Sequence, residues 1–352
     1  MENFIQTKIN WDIGTAYDLF ISLRILHEPE QYNIRASWAA GVRSRVPIED
    51  RAVLEQAAQI MLVPLVFIHG LDAPKDSAQL IKKLKQIPEG KILESLTFHN
   101  RTPSKIKELL LETNPRKKWG KDEVDQLTYG GRMTDSKADR IRLNALYEAW
   151  SRREEFGARL VKGLEAYIET FFAEEELRIR PVLERELSHA RMRAGSRPLP
   201  AMLEEITSGV RYVDLGHISA ITLAPTFWGS PFMFYDSLRD FELIILFGAR
   251  PGTMSIISGD IVPDALLRGM KAMADSTRLR ILRYLAQEPQ TAAELSRILR
   301  LRPPTVNHHL NQLRLAGMVQ IYLSPSGERK FSARYEGLDD TQQLLDQFIR
   351  GE

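Results

Sequence analysis

The spacing of apolar residues predicts that most of the first two hundred residues are helical. Apolar positions with helical spacing begin near Thr15 and include Leu19, Phe20 and Leu23, and similar patterns run through 49–60, 76–85 and 104–112. The stretch 136–194 is helical and highly charged, with a break expected at Pro181 because proline removes a backbone donor. Residues 4–10 alternate as a strand would.

The pattern changes after residue 217. Segments 218–225, 232–235 and 241–249 are β-branched or aromatic and are bounded by Gly, Pro or Asp, so each is predicted to be a strand. The sequence Arg-Pro-Gly at 250–252 ends this region, and a domain boundary is expected between there and Val262. The predicted fold class is therefore α+β, mainly helical with small sheets, with an N-terminal domain over residues 1–258.

The C-terminal part shows a clear series of short helices. A first helix from Pro263 is predicted to place Leu266, Leu267, Met270 and Met273 on one face. Asp275 or Ser276 caps a second helix, whose inward residues are Ile281, Leu282 and Leu285. Thr291 and Glu294 have the spacing of a capping box and begin a third helix.

A fourth helix begins at Pro303 and Pro304, which favour the first helical turn. Val306, Leu310 and Leu313 share the face that packs on the domain, and the opposite face with its flanks carries short polar side chains. Such side chains can reach base edges in the major groove of DNA. The residues expected to face DNA are Arg302, Thr305, Asn307, His308 and Gln312.

Two alternating segments, 319–324 and 329–335, follow at once and are joined by Pro325-Ser326-Gly327-Glu328, as in a β-hairpin. Arg329 and Lys330 come just after the hairpin tip and are expected to contact backbone phosphates. The order of helices and hairpin predicts a winged helix-turn-helix over residues 262–337.

Charge distribution supports a nucleic-acid partner. The net charge of the chain is only +2, but residues 261–335 hold twelve Lys or Arg against five Asp or Glu, a local charge of +7 that leaves −5 for the remainder. The chain contains no cysteine, which excludes disulfides, thiolate metal sites and cysteine nucleophiles. The longest apolar run, 60–68, is too short to span a membrane, and the N-terminus lacks a secretory pattern, so a cytoplasmic protein without membrane contact is expected.

Residues 263–335 resemble the ArsR family of bacterial regulators. The similar elements are ADSTRLRILRYL, then TAAELSRILRLRPPTVNHHLNQLRLAGMV, then the hairpin. The resemblance implies a homodimer that binds a palindromic operator in double-stranded DNA, with 305–313 as the recognition helix. Arg302 departs from the small capping residue usual there. The terminal segment 338–350 has no His or Cys, so no metal or other cofactor is predicted.

The N-terminal part resembles the regulatory domain of large ArsR-like regulators through WAAGVRSRVP and LAPTFWGSPF, followed later by LIILFGAR. This resemblance implies a sensor domain for a small-molecule effector but identifies no ligand. Phe227, Trp228, Phe232 and Tyr235 are the candidate pocket residues, although aromatic residues more often form a core. The terminal helix 338–350 is predicted to mediate dimerisation, the alternative being packing against its own domain.

The function of residues 1–258 has three competing interpretations. The preferred one is a sensor domain without enzymatic activity, since the sequence contains no glycine-rich phosphate loop, Gly-x-Ser-x-Gly elbow or metal-ligand cluster. The second is an enzyme that carries the winged helix as an accessory module. The third is a scaffold that spaces two DNA-binding heads and responds to no ligand.

Overall fold

The computed structural model describes residues 7–32, 34–116, 118–129, 137–194, 198–212, 215, 217–259, 262–323 and 329–351. It is mainly helical with two small sheets, which confirms the predicted α+β class. The helices are α1 (Thr15–His27), α2 (Ala36–Arg45), α3 (Ile48–Ile60), α4 (Leu65–His69), α5 (Ser77–Lys85), α6 (Glu89–Thr97), α7 (Ser104–Glu112), α8 (Lys121–Tyr129), α9 (Lys137–Ser151), α10 (Arg153–Tyr167), α11 (Ala173–Ala194), α12 (Leu199–Ile206), α13 (Asp264–Met273), α14 (Ser276–Leu285), α15 (Ala292–Leu299), α16 (Pro303–Leu315) and α17 (Tyr335–Arg350).

Seven strands are present in the described part of the chain: β1 (Lys8–Trp11), β2 (Val210–Tyr212), β3 (Ala220–Thr226), β4 (Phe234–Arg239), β5 (Glu242–Gly248), β6 (Val319–Leu323) and β7 (Arg329–Ala333). One sheet has the order β1-β3-β5-β4, with β1 parallel to β3 and Lys8 opposite Ala220. The other has the order β2-β6-β7. The strand expected over 232–235 runs instead from Phe234 to Arg239, and residues 4–6 of the first predicted strand lie outside the described residues.

Pro181 does not break the helix that contains it, so the expected break at this position is wrong. It lies inside α11, which continues to Ala194. Leu177, whose carbonyl would accept the missing bond, is 75% exposed, so this side of the helix faces solvent. Ile179 and Leu183 are fully buried and hold the helix in place. The interruptions lie earlier, at Arg152 and at a π-helical turn over Ile168–Phe172.

The chain forms two compact units. One contains residues 12–181 and 235–244, and the other contains residues 1–11, 182–234 and 245–352. The predicted division into residues 1–258, 262–337 and 338–350 stays a prediction. Among the described residues, no helix combines the length and the apolar character needed to cross a membrane.

The unit of residues 12–181 and 235–244 has a helical core. Its largest fully buried side chains include Trp150, Tyr167 and Phe172, and Trp150 stacks on Phe98 with ring centroids 5.1 Å apart. The basic sequence at 116–121 is exposed at Arg116 and Lys118, whereas Trp119 donates its indole N–H to Thr113 Oγ1 at 3.0 Å and packs edge-on against Tyr147. Lys117 lies outside the described residues.

A polar network ties the start of this unit to the loop before α5. The Asp12 carboxylate accepts hydrogen bonds from Tyr17 Oη at 2.8 Å, His69 Nδ1 at 2.8 Å and Lys75 Nζ at 2.6 Å. Lys75 Nζ also donates to the His69 carbonyl at 2.6 Å. The side chains of Asp12 and Lys75 are only 11% and 12% exposed, so the pair is largely removed from water. A single carboxylate therefore joins residues that lie more than sixty positions apart.

Candidate nucleic-acid interface

Capping interactions at their N-termini fix where helices α14 and α15 begin. The Asp275 side chain accepts from the Arg278 N–H at 2.9 Å, and Thr291 and Glu294 form the predicted capping box. The Arg278 guanidinium also donates to the carbonyls of Ala272 at 2.9 Å and Lys271 at 2.6 Å, at the end of α13. These bonds satisfy helix ends that would otherwise lack partners, and the Arg278 bonds join the start of α14 to the end of α13.

The turn between α15 and α16 is tight because Arg300 adopts a left-handed conformation, with φ of 56°. Helix α16 then begins at Pro303, and the predicted inward residues are confirmed as buried: Val306 and Leu313 are fully buried and Leu310 is 2% exposed. They pack in one cluster with Ile281, Leu285, Leu295 and Leu299 from the two preceding helices. This packing fixes the rotation of α16 about its own axis, and hence which side chains point outward.

The outward face of α16 carries the polar residues predicted to meet DNA. Arg302, Thr305, Asn307 and His308 are exposed, and Gln312 is partly exposed. Arg302 occupies the N-cap position without a side-chain capping bond, as expected from its departure from a small capping residue. The exposed residues lie at the N-terminal end of the helix, where its backbone N–H groups also favour a phosphate.

The adjacent histidines take different positions. His308 is exposed, whereas His309 is half-buried with its Nδ1 atom 3.8 Å from Asp275 Oδ1. Burial lowers the pKa of His309 despite the nearby carboxylate, so its ring is neutral near pH 7. The centroids of the His308 and His309 rings lie 5.8 Å apart at an interplanar angle of 67°. Among the described residues, no three metal-ligating side chains form a cluster that could hold a metal ion.

The hairpin of β6 and β7 forms the predicted wing. The strands are antiparallel, with Val319 opposite Ala333 and Leu323 opposite Arg329, and backbone bonds of 2.8 and 2.7 Å join Gln290 to Phe331 of β7. Arg329 and Lys330 are both exposed at the start of β7. The tip, residues 324–328, lies outside the described residues.

A third strand extends this sheet on its other side. Strand β2 runs parallel to β6, with Val210 opposite Ile321 and Tyr212 opposite Leu323. Arg211 of β2 lies over the Tyr322 ring at 5.4 Å, donates to its hydroxyl at 3.2 Å and forms an ion pair with Glu204 at 2.5 Å. Strand β2 was not predicted from the sequence, because three residues are too few to establish an alternating pattern.

Two further exposed basic residues come just before α16 in the chain and were not predicted to contact DNA. Arg297 on α15 and Arg300 in the turn before α16 are exposed, and neither was among the residues predicted to contact DNA. The available signal was their place at the end of α15 and in the turn before α16, because residues around this turn commonly contact backbone phosphates in helix-turn-helix proteins.

The four aromatic residues proposed as pocket residues occupy different environments. Phe227 and Trp228 are fully buried, Phe232 is half-buried, and Tyr235 is 47% exposed. The Arg250 guanidinium lies 5.5 Å from the centroid of the Phe227 ring, and its side chain also donates to the Ser230 carbonyl at 3.1 Å. For Phe227 and Trp228, this burial is what core packing requires.

Taken with the wing, the arrangement of α14, α15 and α16 defines a winged helix-turn-helix. Residues 275–320, which span α14 to the start of β6, match the family model described as "Bacterial regulatory protein, arsR family". This segment is therefore an ArsR-type helix-turn-helix, a module of DNA-binding transcription regulation. Searches of curated proteins and of solved structures found no match to the chain.

Proposed function

We propose that this protein is a cytoplasmic, sequence-specific transcription regulator that binds a palindromic operator as a homodimer. The observation that supports this proposal most strongly is the polar outward face of α16, which the buried residues Val306, Leu310 and Leu313 hold in place. Base contacts are assigned to Thr305, Asn307, His308 and Gln312. Phosphate contacts are assigned to Arg302, Arg329 and Lys330.

Charge favours the same conclusion. Residues 261–335 carry a net charge of +7 in a chain of net charge +2. Arg297 on α15 and Arg300 in the turn before α16 add exposed positive charge. A basic surface next to a polar helix suits a duplex, because phosphates supply affinity while base edges supply specificity.

Exposed apolar side chains on α13 and α17 support the dimer. Leu267 and Met270 on α13 are 42% and 41% exposed, and Phe348 and Ile349 on α17 are 38% and 73% exposed. Of the four residues predicted to share one face of α13, Leu267 and Met270 are therefore exposed, and the buried residues of the helix include Leu266, Gly269 and Ala272. Covering these exposed side chains with a second subunit would remove apolar area from water.

The remainder of the chain is proposed to regulate DNA binding in response to a small molecule, without catalysing a reaction. A regulator of this kind needs a second site, and a ligand bound there must change the affinity of the winged helix for DNA. A ligand that the purified protein chemically converts would overturn this part of the proposal.

Substitutions in α16 and in the wing should affect DNA binding differently. On a site enriched from a random DNA library by the wild-type protein, Asn307→Ala or His308→Ala should weaken binding by about 1–3 kcal/mol per half-site and leave random-DNA affinity nearly unchanged. Replacing Arg329 and Lys330 together by alanine should weaken binding to both DNAs and flatten the salt dependence by about one unit per lost phosphate contact. Fluorescence anisotropy at several salt concentrations measures both.

Gln287→Ala is the matched control, since Gln287 is exposed in the turn after α14 and outside the proposed interface. Its affinities should equal those of the wild type. Equal losses on selected and random DNA from the α16 variants would contradict base recognition by this helix.

Placing charges on the apolar faces should disrupt the dimer. The double variant Met270→Glu with Ile349→Glu should sediment as a monomer at concentrations where the wild type is a dimer, because each charge would have to be buried at the interface. Sedimentation velocity measures this, and circular dichroism checks the fold. The matched control is Leu279→Glu, on α14, where the side chain is also 50% exposed. Dimerisation that survives the double variant would assign the interface to another surface.

A further inference from the structure

A cavity of about 420 Å³ lies within the unit that carries the winged helix. Its walls come from α13, from the C-terminal end of α16, from α17, and from Ser208, Pro231 and Gly252 earlier in the chain. This volume is in the range of sites for small organic ligands. Leu315, Ala316 and Gly317, which end the proposed recognition helix, are part of the wall.

A buried arginine lines this cavity. Arg268 on α13 is 9% exposed, and its Nε has no hydrogen-bond partner among the described residues. Burial lowers the pKa of Arg268, only partly opposed by Asp264, but a guanidinium remains charged at neutral pH. A buried charge without a partner is costly, and its presence beside a cavity indicates a ligand that supplies the missing partner.

The nearby carboxylates are already engaged. Asp264 lies 3.7 Å from the Arg250 guanidinium and accepts from the Ile256 N–H at 2.7 Å. Asp340 also lines the cavity, but its carboxylate lies 3.9 Å from Arg334, whose guanidinium donates to the Gly317 carbonyl at 3.0 Å. Arg268 therefore contributes a positive charge that these two acids do not neutralise at contact distance.

The rest of the wall combines apolar and neutral polar groups. Leu315, Leu344 and Pro231 supply apolar surface, and the amides of Gln343 and Gln347 supply hydrogen-bonding groups. A planar guanidinium matches a carboxylate through two parallel N–H bonds. A ligand with one carboxylate and a small apolar body fits this combination.

We propose that this cavity binds a small organic carboxylate through Arg268. The assignment goes beyond the proposed function, because it places a ligand site mainly on α13, the end of α16 and α17 instead of in the remainder of the chain, and it rests on that function only for the regulatory role. Binding itself can be measured without DNA, so failure of DNA binding and failure of this site are distinguishable.

The probe for this site is 4-fluorobenzoate, observed by fluorine NMR with the full-length protein. The wild type should broaden and shift its resonance with a dissociation constant in the millimolar range, as expected for about ten non-hydrogen atoms. The neutral amide 4-fluorobenzamide should bind at least tenfold more weakly, because it cannot form the charge-assisted pair. Arg268→Leu should lose the response to 4-fluorobenzoate.

Arg280→Leu is the control for net charge, since Arg280 is exposed on α14 and does not line the cavity. It should bind 4-fluorobenzoate like the wild type. Thermal denaturation separates binding from folding: Arg268→Leu should melt at the wild-type temperature or higher without ligand, because it removes an unpartnered buried charge. If Arg268→Leu fails to fold, Arg268→Gln keeps a polar side chain of similar reach and should show the same loss of binding.

Two results would overturn the assignment. One is an equal response of 4-fluorobenzoate to the wild type and to a folded Arg268 variant. The other is no response from the wild type at tens of millimolar probe, a concentration at which even a weak charge-assisted contact should be visible.

Discussion

Gly337→Ala is expected to lower the free energy of unfolding by about 3 kcal/mol, more than a single alanine normally changes at a helical position. A Cβ atom at Gly337, in the first turn of α17, would overlap the carbonyl oxygen and carbon of Gly317. Gly317 has φ of 71°, a conformation that favours glycine, and ends the turn after α16. Since both contacting groups are backbone, relief requires moving α17 away from the end of α16.

Gly41→Ala provides the control for this substitution. Gly41 also lies inside a helix, α2, but nothing lies within 4 Å of a Cβ atom built there. Alanine should therefore stabilise the protein by about 0.5–1 kcal/mol, through its higher helix propensity. Urea denaturation followed by circular dichroism measures both changes. A Gly337→Ala variant as stable as Gly41→Ala would show that α17 is not packed against the α16 turn.

Asp12→Asn is expected to destabilise the protein by about 3 kcal/mol at pH 6, because Lys75 would keep a buried charge without its carboxylate. The asparagine has nearly the same shape, so the loss reports charge and hydrogen bonding rather than a cavity. Asp346→Asn is the control: its pair with Arg350 at 2.9 Å is about 60% exposed on both sides, and its loss should change stability by less than about 1 kcal/mol.

The effect of Asp12→Asn should also depend on pH. Burial alone would raise the pKa of Asp12, but hydrogen bonds from His69, Lys75 and Tyr17, with the charge of Lys75, lower it from 3.8 to about 2. A folded-state pKa below the unfolded value stabilises the protein fully above about pH 4 and loses that contribution as pH falls toward 2. This pH-dependent contribution to the free energy of unfolding is about 2 kcal/mol. The difference between the urea midpoints of the wild type and Asp12→Asn should narrow as the pH falls from 4 to 2. A difference that stays constant over this range would contradict the assignment.

The local order of the helix-turn-helix could be predicted from sequence because its signals are short-range. The capping box of Thr291 and Glu294, the prolines that begin α16, and the spacing of Val306, Leu310 and Leu313 all act within a few residues. Each is set by backbone hydrogen bonding or by helical periodicity, which a sequence shows directly. The inward and outward faces of α16 followed from the same periodicity.

Features that depend on distant contacts could not be predicted in this way. Leu267 and Met270 have the spacing of inward residues, but the face of α13 that is buried contains Gly269 and Ala272. Small residues at this position let α17 approach closely, since a Cβ atom at Gly269 would overlap the Thr341 side chain. The isolated charge of Arg268 was invisible for the same reason, because burial is a property of the packed helices and not of the residue type.

The parallel pairing of β2 with β6 bears on how this DNA-binding module can be transplanted. A fusion protein cut at Val262 would carry the helices and the hairpin but would leave the backbone groups of β6 that bond to β2 unsatisfied. Such an open edge can pair with strands of other molecules, and this aggregation lowers the solubility of the fusion protein. A graft that joins α12 and β2 to the segment from Val262 onward would keep that edge closed.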